Sequence, residues 1–269
     1  EGNTLTYGQT EVLLLLGEVV GSAKMKDLEE MKAHNICLNM IEQEADSDDP
    51  LTETFIRQVH QVMLREDYKV YRKLPGGETT SYTVHAGRYK TRPNSVITQT
   101  GERFEYASPE ETPSLMTDLV NWYNNAAEEK NLSPIQLAAL FHYRYIRIHP
   151  FEDGNGRIAR LMVNFILRRH GWPMLVIRSK NKKAYLNALA LSDTAVGPIP
   201  PDGAHASIQA IAPFAKYMET AMATDIASML EFISGNSESM WWYEGEIIHF
   251  TTATPSRILH VLQSDPNAS

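Results

Sequence analysis

Cysteine is almost missing from this chain of 269 residues, where Cys37 stands alone. No intrachain disulfide can form. The pattern around Cys37 predicts a small core residue, which fits a reducing compartment, and a cytoplasmic location is expected. Long apolar runs are missing too. The longest aliphatic run, residues 12–16, is far too short to cross a bilayer, so no membrane role is expected. Positive charge is not in excess: 25 Lys and Arg face 33 Asp and Glu, a net charge of −8. Bulk nucleic-acid binding depends on neutralising phosphates, so it is not expected, although a local basic pocket is compatible. No internal repeat, low-complexity tract or secretory signal is visible. The chain opens on Glu1 rather than Met, so sequence upstream of it is expected.

What the chain does hold is one uninterrupted string, His149-Pro-Phe-Glu-Asp-Gly-Asn-Gly-Arg-Ile-Ala-Arg160. From Ile158 onward apolar residues recur at helical spacing through Leu161, Met162, Phe165 and Ile166. The spacing predicts a helix from about Asn155 to Arg169, stopped by Gly171 and Pro173. Gly154 and Gly156 remove side chains that would hold a ligand off the backbone. The first amides of the helix lack intrahelical partners and sit at the positive end of its dipole, which makes an anion site. Arg157 and Arg160, three apart, can reach one anion from the same face. Asp153 is a hard oxygen ligand suited to Mg²⁺ shared with phosphates. His149 can take a proton from an incoming hydroxyl. Pro150 and Phe151 are expected to fix the loop against the core, and Glu152 to be solvated. The set suits phosphoryl or nucleotidyl transfer.

The string resembles the signature of Fic (filamentation-induced-by-cAMP) domain proteins, His-Pro-Phe-x-Asp/Glu-Gly-Asn-Gly/Lys-Arg-x-x-Arg, with no departure. Glu1-Gly2-Asn3-Thr4-Leu5-Thr6 is similar to the end of that family's inhibitory motif. Residues 51–64, with His60, resemble a core helix ahead of the active-site flap. Residues 86–89 and 93–97 resemble the flap, and residues 183–193, with Tyr185, the helix after the signature. About residues 1–220 are covered. The resemblance implies a protein adenylyltransferase that moves AMP from ATP to a Ser, Thr or Tyr hydroxyl of a target protein and releases pyrophosphate. It implies His149 as general base and Asp153 as the Mg²⁺ ligand. Gly154, Asn155 and Gly156 become the anion hole, and Arg157 and Arg160 hold the polyphosphate. Val96, Ile97 and Tyr185 become further nucleotide contacts. Glu1 becomes an inhibitory carboxylate that pairs with Arg160. A Lys at position 156 would resemble the Doc branch, which phosphorylates its targets; Gly156 favours AMP transfer. Self-modification and a homodimer are compatible with the resemblance.

The expected fold is mainly α: a helical bundle with a short β-hairpin flap, in a domain spanning 1–235, plus a small β-containing C-terminal extension at 236–269. Helices are expected over 10–20 (buried), 27–44 (Leu28, Met31, Ile36, Leu38 and Ile41 toward the core), 51–64 (capped by Thr52), 109–129, 133–146 (capped by Ser133, with Pro134 first), 183–191 and 208–233. Residues 66–106 break the helical rhythm and predict an irregular connection with one hairpin, here assigned to the flap at 86–98. Such a hairpin can register a target strand by backbone pairing. His34, His60 and His142 are expected in or near the core, each with one ring nitrogen satisfied. Arg168, Arg169 and His170 are expected to cap the end of their own helix.

Other readings remain open at this point. One is the reverse reaction, removal of AMP from a modified protein, with Glu1 positioning water. Another is a nucleotide-sensing adaptor, disfavoured because binding needs no base. A phosphatase-like hydrolase would need more metal-binding carboxylates than Asp153 alone.

Overall fold

Residue chemistry places one helical hairpin at the centre. Helix α5, Pro134–Ile148, starts with a full capping box: Ser133 and Gln136 bond to each other's backbone, and Pro134 takes the first turn. Ile135, Leu137, Ala138, Ala139, Leu140 and Phe141 are all buried, so apolar residues surround the helix rather than striping it. Helix α6, Asn155–Arg169, has the bounds that the spacing predicts. Between them lies only the loop 149–154. The computed structural model describes residues 3–19, 21–73, 77–97, 101 and 103–234. Glu1, Gly2 and the expected extension at 236–269 lie outside the described residues.

The remaining helices wrap this pair. Helix α2, Met25–Ala45, packs on α6 and on α3, Glu53–Leu64, whose first turn is capped by Thr52 as expected. Helix α4, Thr112–Glu129, packs on α5. It begins three residues later than expected, because Ser108 and Glu111 exchange hydrogen bonds in the turn before it. On the other side of α5 lie α8, Pro200–Ala204, and α9, Ala212–Ile233, with α7, Lys182–Val196, packed on α9. One continuous apolar core runs through them, with Tyr123, Phe141, Phe151, Phe165 and Phe214 among its largest members. No helix among the described residues is long and apolar enough to cross a membrane. The mainly α expectation holds.

Four sequence expectations are corrected. The first helix, α1 at Tyr7–Leu16, is capped by Thr6 and Gln9 and closed by Gly17 in the left-handed region. It is not buried: Leu13 is, but Leu15 and Leu16 are 71% and 69% exposed, because among the described elements α1 packs mainly on α2. Ile36 on α2, expected toward the core, is also exposed. Residues 66–106 form two antiparallel hairpins rather than one: β1 (Tyr68–Lys73) with β2 (Thr79–Val84), and β3 (Ser95–Ile97) with β4 (Arg103–Glu105). Finally, the arginines ending α6 serve α2. Arg169 donates to the carbonyls of Glu44 and Ser47, and Arg168 pairs with Asp46 at 3.1 Å. They cap the C-terminal end of a neighbouring helix, where a cation meets the negative end of the dipole.

His142 is buried at the centre, where Nε2 meets the Tyr185 hydroxyl at 2.9 Å and the ring leans on Phe214. Burial, helped by the charge of Arg160, pushes its pKa down to about 3. The unfolded chain protonates near 6.5, so between those values it binds more protons than the folded chain. Stability is therefore full above pH 6.5 and falls as the pH drops toward 3. Urea midpoints measured from pH 7 to pH 4.5 should decline; a flat series would contradict a neutral, buried His142.

Candidate active site

The loop 149–154 is built from its ends inward. His149 caps α5 in the left-handed region, φ 53°, a conformation that costs a non-glycine residue about 1 kcal/mol or more. Several bonds hold it there. Its amide donates to Tyr145, and its carbonyl accepts from Lys90 Nζ at 2.9 Å and Asn94 Nδ2 at 3.3 Å. The Nδ1–H of the ring donates to the Ile146 carbonyl at 3.2 Å, which leaves the lone pair on Nε2. Burial, and next the charge of Lys90, push the imidazole pKa down to about 3, so the ring is neutral at physiological pH.

Phe151 is fully buried, and its ring stacks on His60 at 3.6 Å. His60, from α3, has both nitrogens engaged, one more than expected. Nε2–H donates to the Asp153 carbonyl at 3.0 Å and Nδ1 accepts the Gly87 amide at 2.9 Å. Burial holds its pKa down to about 4, which keeps that donor–acceptor pair in place at neutral pH. Gly154, at φ 79°, is the N-cap of α6. A Cβ there would meet His60 at an ordinary contact distance of 3.4 Å, so it is the backbone conformation that asks for glycine.

Asn155 turns inward. Its amide oxygen accepts from the Phe151 N–H at 3.0 Å and its nitrogen donates to the Phe151 carbonyl at 2.6 Å. The side chain closes the loop, so in this arrangement the Gly154–Asn155–Gly156 turn offers its backbone, rather than the Asn155 amide, to an anion. Asp153 is exposed at the lip. Its Oδ2 accepts from the Tyr68 hydroxyl at 2.5 Å and lies 3.5 Å from Arg157 Nη2. Burial raises its pKa, but Tyr68, the Gly154 amide and Arg157 outweigh that and hold the carboxyl below its ordinary range. One ionised carboxylate fits Mg²⁺ bound chiefly through substrate phosphates and water. Arg160 lies one turn further along α6, half-buried.

Segment 86–94 is fastened to this loop. Lys90, buried, donates from Nζ to the carbonyls of Ile148 and His149 and to Asn94, and its amide donates to Pro150. Burial lowers its pKa to about 7. Glu152, expected to be solvated, accepts from both the amide and the hydroxyl of Thr91. Val96 is 45% exposed on β3, and Ile97 follows it on the same strand. Tyr185 is 7% exposed, bonded to His142 and set among Phe214 and Tyr217. Lys90, Asn94, Tyr68 and Tyr106 were not singled out by the sequence; they lie dozens of residues from the signature, and no local period marks them.

A helical core that holds a His-Pro-Phe loop over a glycine-rich helix start defines a class, and the chain belongs to the Fic/DOC family, whose model matches residues 50–167. A Fic domain containing signaling protein from Bacteroides thetaiotaomicron has a crystal structure that matches 90% of this chain and 85% of its own, at 52% identity and a TM-score of 0.80. Protein adenylyltransferase fic-1 of Caenorhabditis elegans is 28% identical over 193 residues, 72% of this chain and 34% of that protein. Protein adenylyltransferase Fic of Nematostella vectensis is 28% identical over 189 residues, 70% of this chain and 40% of that protein. The chain thus spans about a third to two fifths of the length of the curated relatives it matches.

Proposed function

We propose that this chain transfers AMP from ATP to a Ser, Thr or Tyr hydroxyl of a target protein. The observation that carries the reading is the tautomer of His149. With Nδ1–H given to Ile146, the base lone pair is on Nε2 of a residue that opens the six-residue loop leading into α6. The names of the relatives support the same chemistry. In the reaction the target oxygen bonds to the α-phosphorus of ATP, and the bond from that phosphorus to the bridging oxygen breaks. Pyrophosphate leaves, and the hydroxyl proton goes to Nε2 of His149. The amides at the start of α6, with Arg157 and Arg160, hold the phosphates, where fixed donors act on charge developing in the transition state. Asp153 would hold Mg²⁺, which supplies charge neutralisation on the phosphates when bound. Val96 and Ile97 on the hairpin lie on the flap that would cover the nucleotide and pair with a target strand.

Glu1 is assigned the inhibitory role, in which its carboxylate competes with phosphate for Arg160. Support comes from the residues just after it. Asn3 donates to the Asp27 carbonyl, and the amide and hydroxyl of Thr4 both donate to the Asp27 carboxylate, which pins the segment to the start of α2. Helix α2 packs directly on α6, the helix that carries Arg160. Glu1→Gly should raise AMP incorporation about tenfold or more, the worth of one charge-assisted contact. Intact-mass and peptide mass spectrometry of wild type and Glu1→Gly, incubated with ATP and Mg²⁺ with and without lysate, reads this directly. No gain would remove the brake from the scheme. No AMP adduct on any protein, despite ATP binding, would overturn the transferase reading.

A further inference from the structure

Among the described residues, two groups meet the imidazole of His149 directly. One is the Ile146 carbonyl at 3.2 Å, a long hydrogen bond that fixes one edge. The other is Tyr106, whose ring lies over the imidazole face at 3.9 Å between centroids and 11° between planes. Tyr106 follows β4 and is itself well supported. Its amide donates to the Asn94 carbonyl at 3.3 Å, and Phe104 meets its ring edge-on at 5.5 Å. Phe104 in turn lies beneath the guanidinium of Arg147, 5.0 Å from its ring centroid. Asn94, at the other foot of the same hairpin, donates to the His149 carbonyl. Both feet of the β3–β4 hairpin therefore end on His149, one on its backbone and one on its ring. The core supplies the backing: Arg147 is two residues before His149 on the chain and is buried.

We propose that Tyr106 is a positioning residue for the reaction, holding the His149 ring with Nε2 turned toward the α6 anion site. The inference rests on the transferase reading for its kinetic consequence, though not for its geometry. A hydrogen bond at one nitrogen allows the imidazole to rock about that contact; a second ring flat against its face removes that motion. Catalysis by a base depends steeply on such placement, and a displacement of about 1 Å can cost about 10²-fold in rate. The stack also ties the base to the hairpin. A strand that docks on β3 or β4 meets an element whose feet are fixed on the residue that must take the proton. The phenol hydroxyl has no part in the argument; the aromatic face does. Phe should therefore substitute for Tyr106, and Leu, apolar but smaller and without a flat ring, should not.

The test uses the full chain, as wild type and with Glu1→Gly, each carrying Tyr106→Phe or Tyr106→Leu. Steady-state AMP transfer is measured together with the imidazole C–H proton resonances of His149 in the nucleotide-free protein. A ring stacked at 3.9 Å places those protons in its shielding cone. The expected result is a kcat about 10²-fold lower for Tyr106→Leu, with KM for ATP within about twofold, and near-complete rescue by Tyr106→Phe. The His149 resonances should move downfield in Tyr106→Leu and stay in place in Tyr106→Phe. An unchanged kcat in Tyr106→Leu, or a loss equal in both variants, overturns the positioning role. Absence of AMP transfer by any variant, wild type and Glu1→Gly included, overturns the transferase reading instead. The resonances then decide this inference alone, since a His149 signal indifferent to Leu would show that no stack exists in solution.

Discussion

His149→Ala is expected to lower AMP transfer by about 10²–10⁴-fold while leaving ATP affinity close to wild type. The proton of the target hydroxyl must go somewhere as its oxygen bonds to phosphorus, and Nε2 of His149 carries the lone pair that can take it. In the proposed reaction other groups, the α6 amides and the two arginines, hold the phosphates, so binding and chemistry should separate. One structural complication has to be removed. His149 sits at φ 53°, where alanine is strained. His149→Asn tolerates that backbone conformation and still lacks a base, so it should show the same loss of rate with a smaller loss of stability. ATP affinity by titration calorimetry and turnover by mass spectrometry test the pair. Turnover within a few-fold of wild type in both variants would remove His149 from the reaction. A loss of ATP binding that matches the loss of turnover would make it a binding residue.

Gly203→Ala is expected to destabilise the fold by about 3 kcal/mol or more, although the position lies outside the signature string and its backbone is not in the left-handed region. The reason is Arg147. This arginine is 1% exposed and donates to the Tyr143 hydroxyl, to Asp193 at 3.3 Å and to the carbonyls of Gly197 and Ile199, both at 2.8 Å. It ties α5 to the end of α7 and to the loop before α8. A Cβ on Gly203 would sit 2.6 Å from its Cγ and closer still to the guanidinium. Both terminal nitrogens of the guanidinium are held, so relief requires pulling them from Asp193 and from two carbonyls that then lose their donor. For a chain of this size the loss should lower the melting temperature by about 10 °C. Gly8→Ala is the control. Nothing lies within 4 Å of that position on α1, and the change should be worth less than about 1 kcal/mol. Equal melting temperatures for Gly203→Ala and wild type would mean that α8 yields more readily than its contacts imply.

Legibility followed the range of each interaction. Thr52, Ser133 and Pro134 announced their helices because a cap acts within one turn, and the α6 bounds were readable for the same reason. The exposure of Leu15 and Leu16 was not readable, because an apolar run looks the same whether or not a neighbour covers it. The roles of Arg168 and Arg169 were misread because their partners are on α2, more than a hundred residues away. Glu152 looked solvated for a similar reason, since Thr91 comes from a different part of the chain.

By itself the sequence determined the family, the order and type of most helices, and the string that holds His149, Asp153, the glycine turn and the two arginines. These are local properties: periodicity, capping and a motif whose parts are covalent neighbours. The tertiary structure alone decided what holds that string in shape. His60 beneath Phe151, Lys90 on the last carbonyls of α5, Tyr68 on Asp153 and Tyr106 over His149 all come from segments distant in the chain. Their pairing depends on burial and on the need to satisfy buried polar groups, and those constraints exist only once the chain has closed on itself.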